Sequence, residues 1–152
     1  MALDDDIRIL SGVGLFSELA AEELRLLAFG AESVRFGAGQ EIYREGVAAD
    51  CAYVVASGRV VLYRAVEGEA VAVSRLGPGA ILGELALIAE TSRLTYAAAE
   101  TDAELIRLGR TLFRRILEEY PDAAAALHGR MTAELQAFLE RIERLAPKFA
   151  GE

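Results

Sequence analysis

The sequence predicts a mainly β fold with flanking helices, and three observations carry that expectation. Glycines recur at short intervals from Gly37 to Gly83. Short β-branched or aromatic runs lie among them, such as Tyr53-Val54-Val55, Val60-Val61-Leu62-Tyr63 and Val71-Ala72-Val73. Both ends of the chain instead carry apolar residues at helical spacing. Short strands divided by glycine turns indicate a barrel or sandwich, and residues three and four apart mark a helix with one buried stripe.

Taken in order, residues 1–31 are expected to form the N-terminal helices. Leu15-Phe16 lead into Leu19, Leu24, Leu27 and Ala28, and Glu18, Glu22 and Glu23 stand early in the run, where acids complement a helix dipole. Residues 32–109 hold the strands, with turns at Gly37, Gly39, Gly46, Gly58, Gly68, Gly77, Gly79 and Gly83. Residues 110–148 are expected to be helical again. Leu112-Phe113, Ile116-Leu117 and Tyr120 recur at helical spacing until Pro121, which lacks an amide donor and disfavours helix at Tyr120. A last helix then starts near Asp122, a plausible cap. Its residues Met131, Leu135, Phe138, Ile142 and Leu145 are spaced 4, 3, 4, 3, which fits either a short homodimer seam or a helix lying on its own barrel.

Bulk properties narrow the function. The 152 residues, 53% hydrophobic and 26% charged, suit one folded domain covering 1–152. A net charge of −8 repels nucleic acid, so DNA is not an expected partner. No apolar run is long enough to span a membrane, and the acidic start MALDDDIRIL is unlike a secretory signal, so a cytoplasmic location is expected. One cysteine, Cys51, and one histidine, His128, leave no disulfide and no Cys or His metal cluster. Cys51 reads as a small buried apolar residue, and His128 as a packing or surface residue. No catalytic and no metal-binding residue is expected, because acid–base work on a phosphate needs a positioned base or metal ions.

The stretch GELALIAETSR, Gly83 to Arg93, carries the chemistry. Gly83 permits a positive φ or a close backbone approach to a ligand. Glu84 to Leu87 can make a single turn, whose first amides form an anion site. Arg93 supplies a fork suited to phosphate. Glu84, an acceptor when ionised, wants a donor such as a ribose hydroxyl or Arg93 itself. A nucleotide offers both a phosphate and a ribose hydroxyl.

Gly83-Glu84-Leu85-Ala86-Leu87 followed by Arg93 resembles the phosphate-binding cassette of the cyclic nucleotide-binding domain family. The likeness extends through IYREGVAAD, VVASGRVVLY, RLGPGAILGE and Thr111-Leu-Phe-Arg-Arg-Ile-Leu. It implies an eight-stranded β-roll of the jelly-roll kind with a cassette at 83–95, N-terminal helices, and B and C helices at the end. It also implies a cAMP or cGMP ligand with no other cofactor. Arg93 would meet the cyclic phosphate, Glu84 the ribose 2′-hydroxyl, and Gly83, Leu85 and Ala86 would lend backbone groups. The alternative is a vestigial pocket in which Glu84 and Arg93 pair with each other.

One departure stands beside this match. The family places a small residue after the arginine, often one that helps hold guanine, and this chain has Leu94-Thr95. Side chains alternate along an extended segment, so Thr95 should point away from Leu94. Leu94 would either narrow the pocket or lie along the base, and because the resemblance puts a guanine-holding Thr at that position, cAMP is expected over cGMP. No helix-turn-helix segment follows the last helix, so the resemblance implies a sensor module. Its partners would be the nucleotide, an effector protein not specified by the sequence, or a second copy. A nucleotide-independent interaction module is the competing class.

Overall fold

A computed structural model describes residues 2–14, 16, 19–87, 89–121, 125, 129–130, 132–133, 136–137 and 139–140. Two helices open the chain, α1 (Ala2–Ser11) and α2 (Ala21–Gly30). The helical zone is therefore divided. Gly12 follows α1, and single turns bridge the gap as the Val13 amide donates to Leu10 and that of Phe16 to Val13. At the start of α2 the Glu23 carboxylate accepts from the Ala20 amide at 2.8 Å, which satisfies one otherwise orphaned donor. Leu24, Leu27 and Ala28 form the buried stripe.

Ten strands follow. They are β1 (Glu32–Phe36), β2 (Glu41–Tyr43), β3 (Ala48–Ala49), β4 (Cys51–Ser57), β5 (Val60–Val66), β6 (Glu69–Leu76), β7 (Ile81–Leu82), β8 (Thr91–Ser92), β9 (Tyr96–Ala99) and β10 (Ala103–Gly109). Eight of them make two four-stranded antiparallel sheets, ordered β1-β10-β4-β7 and β2-β9-β5-β6, and β3 pairs with β8 separately. This is the expected mainly β roll with flanking helices, with the short β3–β8 pair as an addition.

Two of the corners at which the chain changes sheets lock together. One corner is Gly58, between β4 and β5, with φ +86. The other lies between β9 and β10, and a side chain on Gly58 would run into its backbone at Asp102 and Ala103. The Arg59 amide donates to the Thr101 hydroxyl at 3.0 Å, and the Glu100 amide to the Arg59 carbonyl at 2.8 Å. The hairpin β5–β6 closes through Glu67 and Gly68, at φ 52 and 83, the paired positive angles of a tight hairpin turn.

Two apolar clusters hold the layers. Between the sheets lie Val55, Val60, Leu62, Leu82, Ala97, Ala99, Ala103 and Leu105. On the other face of the first sheet, Ala52, Val54, Ile106 and Leu108 pack with Leu10, Phe16, Leu27, Phe113 and Ile116 from the helices. Strands β4 and β10 are therefore covered on both sides, which explains the nearly unbroken apolar run of β4.

Helix α3 spans Arg110–Glu119 and buries Phe113 and Ile116. It ends as the proline rule requires, with Tyr120 at φ −131 and ψ 74 just ahead of Pro121. Its first residue is a tie. The Arg110 guanidinium donates to the Ala86 carbonyl at 2.9 Å and the Ala49 carbonyl at 2.6 Å. A cation is unfavourable at a helix start, and these two carbonyls supply the compensation. At the other end, the Tyr120 hydroxyl donates to Glu22 of α2 at 2.6 Å. The proposed seam of Met131, Leu135, Phe138, Ile142 and Leu145, together with Asp122 and His128, lies outside the described residues.

Candidate functional site

The segment after β7 does what its sequence requires. Gly83 adopts φ +74, a conformation costly for residues with a side chain. Glu84–Leu87 then forms one 3-10 turn, with the Ala86 amide donating to the Gly83 carbonyl at 3.0 Å. Ala86 and Leu87 are buried and anchor the turn on the core. Beyond β8, the Arg93 amide donates to Val47 at 2.8 Å and its carbonyl accepts from Gly46 at 2.9 Å, so the loop after β2 fixes the arginine backbone.

These segments enclose a cavity of roughly 280 Å³ between the two sheets. Gly83, Glu84, Leu85, Ala86, Arg93, Leu94 and Thr95 all line it, so the structure brings together every residue singled out from sequence. Leu62, Leu76, Ile81 and Leu82 give it an apolar wall, while Ser74, Thr91 and Ser92 add hydroxyls. Ala137, a described residue of the last helix, reaches its edge. The expected opposite facing of Leu94 and Thr95 does not keep Thr95 out of the site: both line the cavity, Leu94 at 37% exposure and Thr95 at 1% and hydrogen-bonded with Tyr43.

Arg93 is the centre of the site. It is 7% exposed, rare for a charged side chain. Its Nη2 donates to the Cys51 sulfur at 3.3 Å. Its guanidinium lies 4.2 Å from the Tyr43 ring centre and 5.9 Å from that of Tyr53, and the two rings stack. Nη1 is buried and has no hydrogen-bond partner among the described residues. A side chain at position 83 would meet Nη1 and displace it, so glycine there sets the place of the guanidinium as well as allowing the positive φ.

A thiol and two rings are thus partners of Arg93 that the sequence reading did not assign. Cys51 is buried as expected, yet it also accepts a hydrogen bond. Tyr43 was missed because β2 is a short strand whose alternation gives little signal. Burial pushes the Tyr43 phenol up to about 12, partly opposed by the Arg93 charge and by a hydrogen bond with Thr95, with Glu84 adding to the rise. Tyr53 is raised too, first by burial and then by Cys51.

The arrangement is an apolar slot with one desolvated, under-bonded cation at its end. It is built to take an anion attached to an apolar body. Among the described residues no cluster of His, Cys, Asp or Glu could hold a metal ion, and no helix is long and apolar enough to cross a membrane.

Comparison with known proteins agrees with this geometry. The family model for the cyclic nucleotide-binding domain matches residues 33–120. A cyclic nucleotide-binding-like protein from Brucella abortus is 55% identical, with a TM-score of 0.69 over 76% of this chain and 99% of that one. The cyclic AMP receptor protein of Thermus thermophilus is 33% identical over 86% of this chain and 62% of its own length. The regulatory domain of Toxoplasma gondii PKA, solved with cAMP, is 30% identical, with a TM-score of 0.71 over 75% of this chain and 44% of that one. The chain also matches fungal lysophospholipases, but spans only 9% of the length of the one from Neurospora crassa. The chain belongs to the cyclic nucleotide-binding domain family.

Proposed function

We propose that the chain is a regulatory module that binds cAMP in this cavity and passes occupancy to its C-terminal helices. The observation that carries the reading is the buried Arg93, whose Nη1 has no hydrogen-bond partner at the end of an apolar slot. A cyclic phosphate would convert that donor into a charge-assisted pair. Glu84 accepts the ribose 2′-hydroxyl, while Gly83, Leu85 and Ala86 contribute backbone groups. The base lies along Leu62, Leu76 and Ile81. The relatives that carry cAMP in their names or structures support the choice of ligand.

The output route runs through Arg110. Its guanidinium holds the carbonyl of Ala86, a cavity residue, so a shift of the cassette turn pulls on the start of α3. Movement then reaches the helix after Pro121, and from there a second copy of the chain or an effector protein. The module itself is not an enzyme, binds no DNA and works in the cytoplasm.

Leu94 leaves no hydroxyl where a guanine would need one, so cAMP is preferred over cGMP, by about 1–3 kcal/mol for one unmet polar group. Thermal melting with cAMP, cGMP and 5′-AMP tests the reading. A ligand at about 100 times its dissociation constant adds roughly 2.7 kcal/mol of stability. A shift with cAMP, smaller with cGMP and absent with 5′-AMP, is expected. No shift with either cyclic nucleotide at millimolar concentration would leave the nucleotide-independent interaction module as the better account.

A further inference from the structure

We propose that Cys51 is a positioning residue for Arg93, holding the guanidinium from behind so that Nη1 is presented to the ligand's anion. The proposal rests on the reading of Arg93 as the phosphate-binding group. Four observations support it. Cys51 is the first residue of β4, 2% exposed and paired with Gly109 of β10, so its sulfur has a fixed place. Its Sγ accepts from Nη2 at 3.3 Å. Cys51 is not among the residues lining the cavity, whereas Gly83, the neighbour of Nη1, is one of them. Nη1 itself is buried without a partner.

The two halves of the guanidinium therefore have different surroundings. Nη2 is bonded to the protein wall, and Nη1 is left over beside the cassette. The Tyr43 ring, 4.2 Å from the guanidinium carbon, fixes the plane of the fork. The Cys51 sulfur and the Tyr43 ring thus set its orientation before any ligand arrives, and orientation set in advance lowers the entropy lost on binding.

The chemical character of the acceptor matters as much as its place. A carboxylate at position 51 would orient the same fork but neutralise it, and an incoming phosphate would meet little net charge. A cysteine sulfur is a weaker acceptor than a carboxylate oxygen. Bonded to Nη2 alone, it directs the guanidinium while leaving Nη1 for the anion.

The test measures cAMP binding by calorimetry for wild type, Cys51→Val, Cys51→Ser and Arg93→Lys, and for Cys51→Val combined with Arg93→Lys. Valine keeps the strand preference and removes the acceptor while adding one γ carbon, and Cys51→Ala, measured beside it, removes the acceptor without added volume. Either should weaken cAMP about tenfold, the effect of losing one hydrogen bond to a charged group. Serine, which can still accept, should stay within about threefold of wild type. In the Arg93→Lys background the same valine change should add less than about twofold, because the fork it orients is gone.

Guanidinium nitrogen NMR of the unliganded protein supplies a readout that packing alone would not move. Separate, slowly rotating Arg93 Nη signals are expected in wild type and Cys51→Ser, and averaged signals in Cys51→Val. Should the valine variant not fold, Cys51→Ala takes its place. Wild type that binds cAMP with unchanged affinity in Cys51→Val overturns the positioning role alone. So does an equal loss in both arginine and lysine backgrounds. Wild type that binds neither cAMP nor cGMP overturns the phosphate reading itself, and the NMR comparison then still decides whether Cys51 orients Arg93.

Discussion

Replacing Arg93 with alanine separates what this side chain does for the ligand from what it does for the fold. For the unliganded protein, the losses are a stacking contact over Tyr43 and a hydrogen bond to a thiol. These amount to roughly 1–2 kcal/mol and about 1 kcal/mol respectively. The three-carbon stem adds about 2 kcal/mol of apolar contact. Against these stand a buried donor without a partner, a penalty of about 1–3 kcal/mol, and a charge withdrawn from water with a further penalty of several kcal/mol. The opposing sums are of similar size, so the melting temperature of the unliganded variant should stay within a few degrees of wild type. Binding has no such compensation. Removing one partner of a desolvated charge pair weakens association by about 2–5 kcal/mol, or about 30-fold to several thousand-fold. Calorimetric titration with cAMP measures the loss, and scanning calorimetry of the free proteins measures the stability. A variant that binds within threefold of wild type would refute the reasoning. So would a variant that unfolds while wild type shows no ligand effect, since Arg93 would then be a structural clasp only.

Gly83→Ala should strain the left-handed backbone by about 1–2 kcal/mol and push Nη1 aside, so affinity falls more than stability; binding equal to wild type would argue against close packing at that point. Alkaline pH should weaken the fold. Tyr43 and Tyr120 are both pushed up to about 12, by burial for the first and by the Glu22 hydrogen bond for the second. Their neutral forms belong to the folded state, so that contribution is intact below about pH 10, the ordinary tyrosine value, and is lost as pH rises through 12. Denaturant midpoints should fall across this window, less steeply in Tyr120→Phe, and flat midpoints would contradict the assignment. Finally, the spacing from Met131 to Leu145 calls for a weak homodimer that Phe138→Glu abolishes; sedimentation of wild type as a monomer throughout the micromolar range would remove the proposal.

The parts of the site written in one local stretch were legible in the sequence. GELAL contains its own turn, its glycine and its acid, and the structure places Gly83, Glu84 and Arg93 around one cavity. The stop at Tyr120-Pro121 was legible for the same reason, because proline acts on its immediate neighbour. What escaped depends on register between distant strands. Cys51 meets Arg93 across 42 residues, and Arg110 reaches Ala49 across 61. No periodicity records such pairings. The break after Ser11 was hidden because Val13, Phe16 and Leu19 continue the apolar pattern through 3-10 type turns rather than an α-helix. Ser74 and Leu76 in the cavity wall could have been found from strand alternation once β6 was paired with β5.

The double coverage of the first sheet has a consequence for the life of the chain outside its native state. Strand β4 reads CAYVVAS, seven residues without a charge or a proline. Such a segment is prone to stack against copies of itself when it is bare. In the folded protein one side of it is sealed by the second sheet and the other by α1, α2 and α3. The helices therefore act as guards against self-association as well as supports for the roll. Any opening that lifts Leu10, Phe16 and Leu27 away from Ala52 and Val54 uncovers an apolar strand face, so cleavage ahead of β1 should yield material that precipitates while much of its sheet structure persists.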